Sequence, residues 1–376
     1  MSYIDKLLEG VEVEWKTLGE VCLNVISGKN KIRDNSGLYP VFGSTGVIGR
    51  TTDKVYEYEQ ILVARVGANA GYVHIAYGQY DVSDNTLIIQ IKERVILKYL
   101  YYLLVNMNLN QFAQGAGQPL ITAGQLKSLP IPIPPLEIQK EIVRILDSFT
   151  ELTAELTAEL TARKKQYNYY REQLLSFDEG EVEWKTLGEV TIKSYSGSTP
   201  KAGDSKYYEN GTIPWLRTQE VKFSDIESTE MKITEIAVKS TAAKWIPINC
   251  VIIAISGATA GRSAVNKIPL TTNQHCLCLE IDARKAIYRY VFHWVVFNYE
   301  NLKALGQGAR GDLNASIIKN YAIPVPPIEE QERIVSILDK FDMLTTSISE
   351  GLPREIELRK KQYEYYRDRL LTFPKN

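Results

Sequence analysis

The stretch LEIQKEIVRILDSFTELTAELTAELTARKKQYNYYREQLLSF, Leu136 to Phe177, holds neither glycine nor proline. It separates two blocks of different character and predicts one long helix. Ile142, Ile145, Phe149, Leu152 and Leu156 step by three and four residues, so they draw an apolar stripe along one side that must pack on a partner. At about 1.5 Å per residue the helix spans roughly 60 Å, longer than a small domain is wide. It reads as a spacer.

Working outward, the flanks of this stretch recur. EVEWKTLGEV at Glu12 to Val21 returns unchanged at Glu181 to Val190, and IPIPPLEIQKEIVRILDSF at Ile131 to Phe149 returns as IPVPPIEEQERIVSILDKF at Ile323 to Phe341. RKKQYNYYREQLLSF from Arg163 returns as RKKQYEYYRDRLLTF from Arg359, 11 of 15 positions being identical. The blocks between these shared segments are related but divergent: ILVARVGANAG (Ile61 to Gly71) answers VIIAISGATAG (Val251 to Gly261). Their alternating apolar residues and Gly/Asn punctuation predict strands, with one helix around Leu97 to Phe112 and another around Ile287 to Leu305. A Pro-rich exit ends each block and sets where a long helix starts. Tyr3 to Leu8 resembles the end of a long helix, Tyr170 to Leu175, so the final helix is expected to dock beside the N-terminal fragment. The fold class is α+β, two strand-rich domains separated by two long antiparallel helices in a coiled coil, with a pseudo-two-fold internal repeat. Near-identical segments suggest a duty performed twice, such as binding two copies of one partner; divergent blocks suggest two unlike ligands.

The chain has 376 residues, 44% of them hydrophobic, and a net charge of −1. That charge is uneven, with +3 in residues 22–135, +5 in 191–327 and −9 in the remainder. Two basic blocks on an acidic frame suit a polyanion held at two places. No apolar run is long enough for a membrane span, and the N-terminus has no signal-peptide pattern, so a cytoplasmic protein is expected. Cys22, Cys250, Cys276 and Cys278 are too few and too irregular for a disulfide framework.

With these residues assembled, the chain resembles the specificity subunit of type I restriction-modification enzymes over essentially its whole length. The resemblance rests on both VEWKTLGEV copies, the ISGKN and YSGSTPKAGDSKYYENGTIPWLRTQEV openings, ILVARVGANAG with VIIAISGATAG, both Pro-rich exits and the closing GLPREIELRKKQYEYYRDRLLTF. It implies a frame fragment at 1–21, a first target recognition domain at 22–135, a central helix at 136–177 and a junction at 178–190. A second recognition domain comes next at 191–327, then a C-terminal helix at 328–376, which Gly351 and Pro353 should break or kink near 351–353. The implied function is non-catalytic: each domain reads one half of a bipartite, asymmetric site on double-stranded DNA. Two methyltransferase subunits dock on the frame and restriction/motor subunits join them. No cofactor is expected in this chain; S-adenosylmethionine, ATP and magnesium would sit on the partners. TELTAELTAELTA, Thr150 to Ala162, is similar to the tetrapeptide repeat whose copy number changes half-site spacing in some members of this family.

Base-reading candidates are polar side chains in Gly-rich loops, since Arg suits guanine edges and Asn or Gln adenine edges. They are Arg65, Asn69, Asn85, Gln114 and Gln118 in block one. Block two offers Lys201, Arg217, Thr218, Gln219, Arg262, Gln274, Gln307 and Arg310. Each could equally be a turn or fold-stabilising residue. Arg163, Lys164, Lys165, Tyr167, Tyr170 and their counterparts Arg359, Lys360, Lys361, Tyr363 and Tyr366 are candidates for anchoring the methyltransferases. Alternatively, the tyrosines fill the junction of helix and block. Trp15 and Trp184 read as core anchors. His275, Cys276 and Cys278 have zinc-ligand chemistry but strand spacing, so no metal site is expected. The Glu-x-Lys triplets at Glu14, Glu183 and Glu220 leave a magnesium-dependent nuclease as an alternative, beside a protein scaffold that never touches DNA.

Overall fold

The structure is a computed structural model, describing residues 3–31, 35–115, 117–178, 180–308, 311–347 and 350–374. The chain divides into two compact units, residues 1–156 with 356–376 and residues 157–355. Both follow one plan, a larger and a smaller sheet, with one more strand in the larger sheet of the second. The first holds a four-stranded sheet in the order Cys22–Ser27, Thr86–Ile91, Gln60–Ala64, Val73–Ala76 and a three-stranded sheet of Gly46–Thr51, Tyr39–Gly43 and Asp81–Val82. The second holds a five-stranded sheet, Thr191–Ser196, Cys276–Ile281, Val251–Ala254, Ser263–Asn266 and Asp225–Ile226, with a three-stranded one of Met231–Ile233, Ile213–Leu216 and Thr271–Thr272. One helix packs on each large sheet, Leu97–Asn106 or Tyr288–Phe297, and its buried side chains join the main core of that unit.

The repeated segments clamp each block shut. Glu14–Thr17 pairs antiparallel with the exit Pro130–Ile133, and Glu183–Thr186 pairs in the same register with Ala322–Val325. Proline is admissible here because each of these sheets has only two strands, so every strand is an edge. The helix after each exit is then pinned by one side chain. Gln139 is fully buried, accepts from Ile96 N at 2.9 Å and donates to Pro134 O at 2.8 Å. Gln331 does the same with Ile287 N and Pro326 O, at 2.9 and 2.8 Å. Tyr99 and Tyr290 donate to Pro132 O and Pro324 O in parallel fashion, at 2.9 and 2.8 Å. Identity between the copies thus has a structural cause beside any shared partner.

The long helix runs Leu136–Leu175 without interruption, and Ile142, Ile145, Phe149, Leu152 and Leu156 are all buried or half-buried. In the first unit its early turns lie antiparallel to the end of the helix Gly351–Leu371, with Phe149 5.4 Å from Tyr366. The N-terminal helix Tyr3–Leu8 joins that pair: Tyr3 donates to Glu141, Asp5 accepts from Arg369, and Ile4 shares a core with Leu370, Leu371 and Phe373. In the second unit the last turns lie antiparallel to Ile328–Thr346, Tyr167 and Tyr170 stacking on Phe341 at 5.8 and 5.6 Å.

Residues 328–376 hold two helices, Ile328–Thr346 and Gly351–Leu371. Gly351 has φ +76°, and a Cβ there would lie 2.3 Å from Met343 O, so only glycine permits the chain to approach so closely. Pro353 sits in the first turn of the new helix, where its missing N–H costs nothing. Trp15 is half-buried and donates to Pro374 O at 3.2 Å, whereas Trp184 lies edge-on to Trp294 with 47% of its surface exposed. Trp184 is therefore not the core anchor expected from the sequence, because the buried Trp294 fills the core at that place. No helix among the described residues is long and apolar enough to cross a membrane.

Candidate nucleic-acid interface

Loops distant in sequence converge at one end of each large sheet. In block one, Arg65 comes directly after the strand Gln60–Ala64; its N–H donates to Asn85 O at 3.0 Å and its carbonyl accepts from Ile121 N at 2.8 Å. Gly67 N donates to Pro119 O at 2.9 Å, and Gln114 and Leu120 exchange backbone hydrogen bonds at 3.0 and 2.9 Å. Asn69 caps the adjacent hairpin, accepting from Tyr72 N at 2.9 Å. The structure therefore brings Arg65, Asn69, Asn85, Gln114 and Gln118 into one cluster. All are exposed except Arg65, which is half-buried. Its Nη1 lies 3.4 Å from Ser27 Oγ, and its Nε is buried without a partner.

Block two repeats this backbone. Ile255 N donates to His275 O at 2.9 Å, Leu313 N to Ile255 O at 2.8 Å, and Gln307 exchanges bonds with Asp312 at 2.9 and 3.0 Å. Gly67 and Gly257 have φ +78° and +66°, Gly71 and Gly261 +90° and +83°, so paired glycines bend both hairpins alike. Gln274 is exposed and accepts from Thr199 Oγ1 at 2.5 Å, placing the Lys201 loop beside it. Asn273 N donates to Leu216 O at 3.0 Å, which brings Thr218 and Gln219 near. Arg262 is half-buried on the hairpin, and Gln307 is exposed. Arg310 lies outside the described residues.

Arg217 is committed elsewhere. Its guanidinium meets Glu230 at 2.7 Å and Glu220 at 3.6 Å, so it holds its own loop together. The Glu-x-Lys triplets are likewise structural: Glu14 pairs with Lys16, Glu183 with Lys185, and Glu220 receives the backbone N–H groups of Arg217 and Glu230. Cys276 and Cys278 both face the core, and burial pushes the Cys276 thiol up to about 12, which makes it a poor metal ligand at neutral pH.

The helix segments divide by face. Tyr167 is buried against Phe341, and Tyr363 and Tyr366 are half-buried in the first core, so these three fill junctions. Tyr170 keeps 39% exposure. Arg163 is tied to Glu159 and Gln166, and Arg359 to Gln362 at 3.0 Å. Lys164, Lys165, Lys360 and Lys361 are exposed, the last paired with Glu357. Tyr169 and Tyr365, 60% and 55% exposed, are the aromatic residues on the outer face. A helical wheel separates them from Tyr167 and Tyr363, because two residues turn a helix by about 200°.

One charged cluster has no counterpart among the sequence candidates. Asp339 accepts from Arg289 and from His293 Nε2, both at 2.6 Å, while Asp342 lies 3.9 Å from His293 Nδ1. The matching residues in block one are Lys98 and Tyr102 on Asp147, at 2.7 and 2.6 Å. Burial raises the Asp342 carboxyl above its usual range. At Asp339 burial acts in the same direction, but hydrogen bonds from His293 and Arg289 outweigh it and lower the carboxyl.

Comparison with known proteins reflects this repeated design. The family model described as type I restriction modification DNA specificity domain matches twice, over residues 10–163 and 179–358. The chain is 42% identical to the specificity subunit of a type I restriction enzyme from Escherichia coli, covering 100% of this chain and 98% of that one. It is 34% identical to a putative type I specificity subunit from Haemophilus influenzae, over 99% and 98%. Among solved structures, the type I S subunit from M. genitalium superposes with a TM-score of 0.68 at 18% identity over 100% of both chains. The corresponding subunit from Thermoanaerobacter tengcongensis gives 0.51 at 19%, covering 96% of each.

Proposed function

Because the chain belongs to the type I restriction-modification DNA specificity family, we propose that it is the sequence-reading subunit of such a complex. Its two recognition domains, residues 22–135 and 191–327, each engage one half of a bipartite site on duplex DNA. The observation that carries this reading is the pair of loop clusters, one glycine-bent backbone built twice with different side chains projecting from it. A shared backbone meets what two half-sites have in common, the phosphate track; differing side chains meet what distinguishes them, the bases.

The chain contributes recognition and assembly, and its partners contribute chemistry. Two methyltransferase subunits dock on the repeated helical frame, where Lys164, Lys165 and Tyr169 answer Lys360, Lys361 and Tyr365. S-adenosylmethionine binds to them, ATP and magnesium to the restriction subunits, and the assembly works in the cytoplasm. Two readers also suit the energetics. A bidentate base contact discriminates by about 1–3 kcal/mol, whereas a specific site needs about 4–10 kcal/mol over non-specific DNA. Methylation mapping in a host expressing the chain with its methyltransferase tests this reading. One interrupted, asymmetric motif is expected; a continuous palindrome, or no motif, overturns it.

A further inference from the structure

Arginines elsewhere in the structure are mostly neutralised: Arg144 pairs with Glu141, Arg217 with Glu230, Arg289 with Asp339 and Arg333 with Glu330. Among the described residues, Arg65, Arg171 and Arg262 are half-buried and meet no carboxylate; Arg171 lies over the rings of Tyr167 and Phe297, whereas Arg65 and Arg262 lie on the glycine-bent hairpins. Burying part of a guanidinium without an acceptor is unfavourable, and Arg65 Nε is wholly enclosed with none. Arg171 Nε is enclosed in the same way on the long helix, so what sets Arg65 and Arg262 apart is their place on the glycine-bent hairpins.

The two arginines do not occupy the same place. Ala64 N donates to Tyr72 O and Ala254 N to Arg262 O, each at 2.8 Å, so Arg262 stands where block one has Tyr72. Arg65 N meets Asn85 O as Ile255 N meets His275 O, so Arg65 stands where block two has Ile255. Between the copies the cation has moved from one strand of the hairpin to the other. A phosphate contact would be needed at the same place in both copies, since the DNA backbone is alike under both. A cation that changes place between otherwise equivalent loops fits base recognition.

We propose that Arg65 and Arg262 are specificity-determining residues, each reading a guanine edge in its own half-site, and that their exchanged positions help make the two halves different. This rests on the reading of the chain as a DNA-recognition subunit. A guanidinium forks onto the two acceptors of guanine in the major groove, O6 and N7.

The test uses the complete methyltransferase complex on a plasmid library randomised around the wild-type motif, with methylation read by sequencing. R65A is expected to relax one guanine position in one half-site, lowering discrimination there by about 5- to 150-fold and leaving the other half unchanged. R262A should relax one guanine position in the opposite half. R65K retains charge and loses the fork, so it should preserve assembly and salt dependence while still losing the guanine preference. A uniform fall in methylation across all sequences, with the salt slope of binding reduced by about one, would assign a phosphate contact and overturn the proposal. So would unaltered motifs in R65A and R65K. If the wild-type complex itself shows no bipartite motif, the underlying DNA-reading assignment fails instead.

Discussion

Replacing Gln331 with alanine should release the second block from its helix. The side chain is fully buried and bridges two backbone groups, accepting from Ile287 N at 2.9 Å and donating to Pro326 O at 2.8 Å. Ile287 immediately precedes the helix Tyr288–Phe297, and Pro326 lies just before the helix Ile328–Thr346. Alanine therefore strands one N–H and one carbonyl where water has little access. Each stranded group costs about 1–3 kcal/mol, so the loss is about 2–6 kcal/mol, a large part of the roughly 5–15 kcal/mol that holds a domain folded. Q139A should do the same in the first unit through Ile96 N and Pro134 O. Hydrogen exchange read by mass spectrometry checks this locally. In Q331A, peptides covering residues 285–297 should lose protection while those covering residues 94–106 keep it, and Q139A should reverse the pattern. Denaturant titration gives the size. A loss under about 1 kcal/mol with unchanged exchange at Ile287 would refute the assignment of these glutamines as the pins of the two blocks.

Three further outcomes are expected. Deleting one four-residue unit of the tract Thr150–Ala162 shortens the helix by about 6 Å and turns its downstream part by roughly 40°; methylation mapping should show both half-sites unchanged and the gap altered by one or two base pairs, and a changed half-site would contradict the spacer role. At Asp342, whose carboxyl is raised by burial, the folded state favours the protonated form. The stability it contributes is full below the unfolded pKa of about 3.9 and is lost as pH rises through the folded value, so D342N should gain on wild type in denaturation midpoint as pH increases from 4 towards 7. A gain confined to low pH would reverse the sign and refute it. Burial pushes the Cys22 and Cys250 thiols up to about 12, and all four cysteines are buried; native protein at neutral pH should resist alkylation until denaturant is added, and labelling without denaturant would show the cores to be open.

Much of the fold was legible because the chain repeats itself. The Pro-rich exits located the helix starts, and the apolar stripe from Ile142 to Leu156 located the buried side of the long helix. Less legible was the reason for identity between the copies. EVEWKTLGEV and the PPLEIQ and PPIEEQ exits suggested a doubled partner site, yet much of what they share is backbone pairing and one buried glutamine per copy. A glutamine's chemistry carries no mark of whether it will face solvent or a stranded N–H. The tyrosines of RKKQYxYY show the same limit: Tyr167 goes inward and Tyr169 outward, and the segment alone does not say which face meets the block. Gly351 and Pro353 signalled disruption but not its form, which depends on the carbonyls of Met343 and Leu344 that the turning chain approaches.

Sequence alone determined the two-fold plan, the strand-rich blocks, the continuous helix between them and the family. Those features are written in periodicity, proline placement and self-similarity, all local or repeated along the chain. Tertiary structure decided which polar residues stand together. Arg65, Asn85 and Gln114 meet because sheet hydrogen bonds carry separate loops to one end of a block, while Arg217, equally basic and equally loop-borne, is taken up by Glu220 and Glu230. Whether a charge is spent inside the fold or remains for a ligand depends on neighbours that only folding supplies.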